Sequence, residues 1–257
     1  PAVLDPRLRK DVRVMIGGWL RFFRVVNLPT VPGDVLAGAA AALTGGCAVG
    51  AGTSASLAAA CVAGMLIYMF GLADNYIVGA KTDVGRPIPS GEISLNAARL
   101  ARGLCLLAVL VAGSLANLPP VWWIAAFALA VTCVAYNRTK WTALMGLCRG
   151  LNVVCGAAVL FRSAADATSP LPWTLAAVWT LYVAGVTKCS EGEETDPERK
   201  RFVGFLIGAL VYLQLLALLI LYLVHPTALM RNLLLTGAAL LIVLRLMKRL
   251  LPKVSAS

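Results

Sequence analysis

Residues 54–79 read SASLAAACVAGMLIYMFGLADNYIVG, and residues 80–94 continue AKTDVGRPIPSGEIS. The first stretch runs for twenty residues without a charge before Asp74. A helix of about 20 residues rises roughly 30 Å, the thickness of a bilayer's hydrocarbon core. The second stretch turns abruptly to charges, prolines and glycine. An apolar helix that ends in a polar loop is the unit from which the rest of the chain is built.

Working outward, similar apolar runs cover about 28–46, 54–79, 95–116, 119–136, 142–161, 171–189, 202–224 and 227–247. The 257 residues are 60% hydrophobic and only 14% charged, with a mean hydropathy of +0.82. A soluble domain carries roughly a quarter charged residues. The runs are unbroken and rich in Ala, Leu and Gly, without the dyad alternation of a membrane β-barrel. The expected architecture is all-α: a polytopic membrane bundle of about eight (eight to nine) transmembrane helices, forming a single domain over 1–257.

Residues 1–26 are basic, with Arg7, Arg9, Lys10, Arg13, Arg21 and Arg24, and no compact apolar region with a small-residue cleavage site follows. Residues 7–26 read equally as an amphipathic helix on the membrane surface or as the flank of the first span. With the N-terminus inside, the inner loops hold Lys81, Arg86, Arg138, Lys140, Lys188 and Arg199–Arg201, and the tail holds Lys248, Arg249 and Lys253. The outer segments 47–53 and 116–120 hold no Lys or Arg; Arg162 and Arg231 are the outer exceptions. This asymmetry predicts a multi-pass protein of a bacterial inner or an organellar membrane, with its acidic loops on the cytoplasmic side. The net charge of +11 is accounted for by loops facing anionic headgroups, and no nucleic-acid partner is expected. The seven cysteines form no C-x-x-C pair and read as small apolar residues; the single His225 argues against a histidine metal or haem site.

Seven of the twelve acidic residues stand at two inner helix mouths. Asp74 and Asp83 flank the end of the second span, with Asn75 between them. Glu191, Glu193, Glu194, Asp196 and Glu198 follow the sixth. Carboxylates offer oxygen ligands to Mg²⁺, which usually reaches a protein together with substrate phosphates. The basic residues of the same side can hold phosphate oxygens directly. Asp196-Pro197-Glu198 also reads as an N-cap, an N1 proline and an acidic first turn. In Arg86-Pro87-Ile88-Pro89-Ser90-Gly91, the alternate prolines predict an extended, rigid stretch, and Ser94 is placed to cap the third span.

The segment Arg86 to Gly91 resembles the Arg-Pro-x-Pro-Ser-Gly element of the UbiA superfamily of intramembrane prenyltransferases. In that family it follows an Asn-Asp-x-x-Asp-x-x-x-Asp motif at the end of the second helix. Tyr136-Asn137-Arg138-Thr139-Lys140 resembles the family's Tyr…Lys loop. Met145 to Gly156, with Arg149 and Asn152, resembles its fifth helix. Arg24…Asn27-Leu28-Pro29 and Gly33 to Gly38 resemble its first helix. Together with Ala184-Gly185-Val186-Thr187 and the glutamates after it, the match covers roughly residues 20–205 and stands closest to the EboC-like branch. The first aspartate motif is thinned: Asp83 as its last member leaves Tyr76 and Gly79 in place of two aspartates, whereas Asp74 as its first member shortens the loop. The second motif offers glutamates where most members have aspartates.

The resemblance implies transfer of a prenyl group from a polyprenyl diphosphate to a small aromatic or lipid acceptor, with Mg²⁺. It implies metal ligation at Asp74, Asn75, Asp83, Glu191 and Glu194, of which the four carboxylates are the catalytic candidates. Arg86, Lys140, Arg149 and Asn152 would then face the diphosphate. The thinned motif leaves two other readings open: a non-catalytic lipid- or metabolite-handling protein of the same fold, or a UbiA-type terpene cyclase. Within the spans, Asp34, Arg149 and Asn152 are costly in lipid and so are functional candidates. Arg149 is expected to pair with Asp34 or to hold a diphosphate. Asn152 is expected to bind a metal-ligating carboxylate or the substrate, and the alternative for all three is a polar set that fixes helix packing. Arg99 and Arg102 are expected to snorkel to the interface.

Overall fold

A computed structural model describes residues 16–81, 83, 86–192 and 196–251. The candidates Glu193 and Glu194, the basic residues Arg7, Arg9, Lys10 and Arg13, and Lys253 lie outside the described residues. Helix α1 is described over 16–22, and a 3-10 turn follows at Val25–Asn27. Then come α2 (Thr30–Thr44), α3 (Thr53–Val78), α4 (Leu95–Leu115), α5 (Pro120–Thr139), α6 (Thr142–Ala158), α7 (Pro170–Cys189), α8 (Pro197–Val224) and α9 (Ala228–Leu250). No strand occurs among the described residues.

The helix starts follow local chemistry. Ser94 accepts the Ala97 N–H and opens α4. Asp196 accepts the N–H groups of Glu198 and Arg199 and opens α8, with Pro197 at the first helical position. Thus α8 starts at Pro197, before the apolar run at 202: hydropathy marks the stretch that can enter lipid, whereas the cap marks where the helix begins. The amphipathic helix read over 7–26 does not continue to 26. Arg24 adopts a left-handed conformation (φ 43°, ψ 49°), which ends the helical path and turns the chain towards α2.

Among the described residues, six helices are long and apolar enough to cross a membrane: α2 with its preceding turn, α3, α4, α5, α8 and α9. The 17-residue α6 and the aromatic-rich α7 coincide with the other two expected spans. The outward surface is that of a protein dissolved in lipid. Leu100, Leu104, Leu107 and Leu115 of α4, Phe127 of α5, and Leu216, Ile220 and Leu223 of α8 are exposed. An apolar surface this extensive is foreign to a soluble monomer.

Helix α2 is the axle of the bundle. Fourteen of its fifteen residues are buried, and α3, α6, α7, α8 and α9 all pack against it. Its small residues allow this, because in lipid the gain from association comes from close van der Waals contact rather than from expelling water. At the α2–α6 crossing, a Cβ on Gly38 would stand 1.9 Å from the Val153 carbonyl oxygen, and one on Gly156 would stand 1.9 Å from that of Val35. Gly146 and Gly150, one turn apart, bring α6 close to α7: a Cβ on Gly146 would stand 2.1 Å from the Thr180 carbonyl oxygen, and one on Gly150 2.7 Å from that of Ala176. Successive helices from α2 to α9 alternate in direction. The start of α2 therefore shares one end of the bundle with the 79–94, 140–141 and 190–196 connections. The described charges gather at that end; Arg162, Asp166 and Arg231 stand at the other.

Gly156→Ala would gain up to about 1 kcal/mol of helix propensity, but it places a methyl on a backbone oxygen, and overpacking of this kind costs about 1–3 kcal/mol. We expect a lower unfolding temperature in detergent for Gly156→Ala. Gly103→Ala, whose Cβ meets nothing within 4 Å, is expected to equal or exceed the wild type.

Candidate functional site

Because α2 is buried on every side, Asp34 is fully enclosed, at 0% exposure. An isolated carboxylate there would be costly, and four side chains answer it. Arg149 Nε stands 3.0 Å from Oδ2. Asn152 donates to Oδ2 at 3.2 Å, Trp179 Nε1 to Oδ1 at 2.9 Å, and Gln214 to Oδ1 at 2.6 Å. The same donors also reach the first-turn carbonyls of α2: Arg149 and Gln214 bond to Thr30 O, and Asn152 bonds to Val31 O. Arg149 and Asn152, one turn apart on α6, thus both engage Asp34 rather than standing free. Gln214 and Trp179 were not foreseen as members of the set. The available signal was Gln214 itself, an amide in the middle of an apolar run.

At the charged end, Asp74 is 1% exposed and both its oxygens are held: Oδ1 by Arg102 at 2.9 Å and Oδ2 by Asn137 at 2.9 Å. The packing of α4 on α3 brings Arg102, expected to snorkel, beside Asp74, while its side chain stays 36% exposed. Asn75 accepts from the Lys140 ammonium, which also lies 5.6 Å from the centre of the Tyr136 ring. Partial burial, and then the positive charge of Arg86, hold the Lys140 pKa below its ordinary value. Asp83 pairs with Arg86 at 3.2 Å, and the Arg86 guanidinium sits 5.5 Å over the Tyr76 ring. Glu191 pairs with Lys188 at 2.7 Å on the exposed α7–α8 connection.

The Arg86–Gly91 segment is compact rather than extended. The Ser90 N–H bonds to Arg86 O, that of Gly91 to Ile88 O, and that of Ile93 to Pro87 O, with Gly91 at φ 77°. Both prolines fit because their fixed φ also suits tight turns. The fold presses Ile93 into the cluster of Phe22, Ala73, Tyr76 and Ala98, and this contact closes the loop.

Below this rim lies a chamber of about 250 Å³. Arg24, Asn27, Thr30, Tyr68, Tyr136, Arg149, Tyr182, Thr187 and Ser190 give it polar walls; Leu72, Met145, Val183, Val186, Val203, Ile207 and Leu210 give it apolar ones. No carboxylate is among these lining residues. Tyr182 and Leu210 also line an adjoining apolar cleft of about 170 Å³ between α7 and α8, with Val178, Leu213, Leu216 and Ile220. A polar chamber beside an apolar cleft suits an amphiphile with a charged head. Among the described residues, no three Asp, Glu, His or Cys side chains are grouped to hold a metal ion.

The fold is shared with UbiA homologues of known structure. A structure of digeranylgeranylglyceryl phosphate synthase superposes with a TM-score of 0.55 at 16% identity, over 96% of this chain and 92% of that one. A UbiA homologue from Archaeoglobus fulgidus bound to DMAPP and Mg²⁺ superposes with a TM-score of 0.53 at 14% identity, over 90% of this chain and 87% of that one. The same homologue bound to GPP and Mg²⁺ gives 0.54 at 15% identity, with the same coverage. No protein-family model and no curated protein matches the sequence.

Asp34→Asn removes the carboxylate with which the buried Arg149 pairs. Breaking a buried ion pair from one side costs about 3–5 kcal/mol. A large fall in the detergent unfolding temperature is expected, exceeding that of Asn152→Ala, and an unchanged melting curve would refute the assignment.

Proposed function

We propose that this chain is an integral membrane prenyltransferase, which moves a prenyl group from a polyprenyl diphosphate to a small aromatic or lipid acceptor. The observation that carries the proposal is the polar chamber at the charged end of a UbiA-like bundle, which shares Tyr182 and Leu210 with an apolar cleft between α7 and α8. The diphosphate would lie in the chamber beneath Arg86 and Lys140, and the isoprenoid along α7 and α8. Cleavage of the C1–O bond leaves diphosphate and an allylic cation; the acceptor's electron pair forms the new bond at C1, and the acceptor gives up a proton. Apolar walls keep water from the cation, and the Tyr68, Tyr136 and Tyr182 rings of the chamber offer π faces to it.

Mg²⁺ binds through one or two carboxylates, water and substrate phosphates rather than through an all-protein cage. Hard oxygen donors of the rim, Asp83, Glu191 and Asn75, would hold such an ion, and the sequence offers Glu194 as a further ligand. When bound, the ion neutralises the departing diphosphate as a Lewis acid. Asp74, with both oxygens committed, is assigned to positioning Asn75 and the end of α5. Asn152 acts through Asp34. The rim would face the cytoplasm, in keeping with the positive-inside rule.

A second reading, a non-catalytic lipid-handling protein of the same fold, is favoured by one observation: Asp74, Asp83 and Glu191 each already have a basic partner. The two readings separate in one assay. Purified protein is expected to release diphosphate from prenyl diphosphates with Mg²⁺ but not with EDTA, and the double variant Asp83→Ala/Glu191→Ala is expected to lose about 100-fold or more, two charge-assisted contacts' worth. Absence of release across several donors and acceptors, with prenyl-lipid binding unchanged in the double variant, would establish the second reading instead.

A further inference from the structure

The chamber has two guanidinium groups, and only one of them is neutralised. Arg149 is paired with Asp34. Arg24 has no acidic partner among the described residues: its neighbours are the phenols of Tyr68, Tyr76 and Tyr136, and its buried Nε has no hydrogen-bond partner. Its backbone is held at φ 43°, ψ 49°, a conformation that residues other than glycine rarely adopt. The turn that enforces this strain also directs the side chain into the chamber. Strain of this kind persists where the surroundings over-determine it, characteristically at ligand sites. The lining carries this cation and several hydroxyl and amide donors, and no carboxylate to compete with an anion or to bring a metal to it.

We propose that Arg24 is the primary anion anchor of the chamber, binding the phosphate oxygens of an isoprenoid diphosphate directly and without a divalent cation. This rests on reading the chamber as the site of a prenyl diphosphate. A guanidinium fork matches two phosphate oxygens at once. Asn27, from the turn that follows, and the Tyr68 and Tyr136 hydroxyls supply the remaining donors. Binding of the head and its activation for departure are thereby separate acts: the first belongs to the chamber wall, the second to the carboxylate rim above it. Sequence reasoning places Arg24 within a family-like segment but gives it no role. Only the left-handed turn shows where its side chain goes.

The test is equilibrium binding of geranyl diphosphate and of inorganic diphosphate to the full chain in detergent, with Mg²⁺ and with EDTA. The wild type is expected to bind both in EDTA. Arg24→Gln is expected to weaken that binding about 10- to 100-fold, the worth of one charge-assisted contact. Arg24→Lys is expected to recover part of it, because it keeps the charge but loses the fork. Arg162→Gln, at the opposite end of the bundle, is expected to leave it unchanged. Unfolding temperatures accompany each variant; if Arg24→Gln does not fold, a several-fold loss in Arg24→Lys supports the anchor, and full affinity overturns it. Equal affinity of Arg24→Gln and wild type in EDTA overturns it as well. Wild-type binding and turnover that exist only with Mg²⁺ overturn the anchor while leaving the transferase reading intact. Absence of prenyl diphosphate binding under either condition overturns both.

Discussion

A carboxylate at the centre of a lipid-dissolved bundle has to be answered by donors, and the position of Asp34 decides which helices meet. Arg149 and Asn152 come from α6, Trp179 from α7 and Gln214 from α8, and all four converge on a carboxylate of α2. Apolar side chains are nearly as comfortable against lipid tails as against one another, so apolar packing alone gives weak register in a membrane. A buried, directional polar cluster adds that register, since removal of any member leaves another unpaired. The glycine contacts at Gly38 and Gly156 are the steric side of the same constraint, for the donors reach Asp34 only because the backbones of α2 and α6 nearly touch.

That arrangement also sets the chamber. Its floor is the polar cluster, with Thr30 and Arg149 belonging to both. Its walls come from α3, α5, α6, α7 and α8, of which all but α5 pack on the axle helix, and its rim carries the charges excluded from lipid. The rim is laced with ion pairs and hydrogen bonds between Asp74 and Arg102, Asn75 and Lys140, and Asp83 and Arg86. Arg102 shows that a long cation near a helix end can pair with a buried anion and still reach the surface.

Much of the fold was legible along the chain. Eight apolar runs and the one-sided charge distribution follow from the cost of putting charge or unpaired backbone into hydrocarbon. Ser94 and Asp196 as helix caps follow from local hydrogen bonding that needs no partner from elsewhere. The 86–91 loop was read as extended because proline fixes φ but leaves ψ open. Its compact turn depends on Ile93 packing beside Phe22 and Tyr76, a contact between segments distant in sequence. The 7–26 helix was likewise read from its charge pattern, which carries no information about the reversal at Arg24.

The sequence by itself determined that this protein is a membrane helix bundle with a charged end, and which residues were too polar to be idle inside it. Those properties depend on composition and on spacing along a helix, which are local. Which partners those residues take was decided only by the tertiary structure: Asp34 with a tryptophan and a glutamine from far down the chain, Asp74 with Arg102 and Asn137, and Arg24 turned into a chamber without an acid. A buried charge must find a partner, but which one it finds depends on how closely and at what angle the helices cross, and only the assembled bundle fixes that geometry.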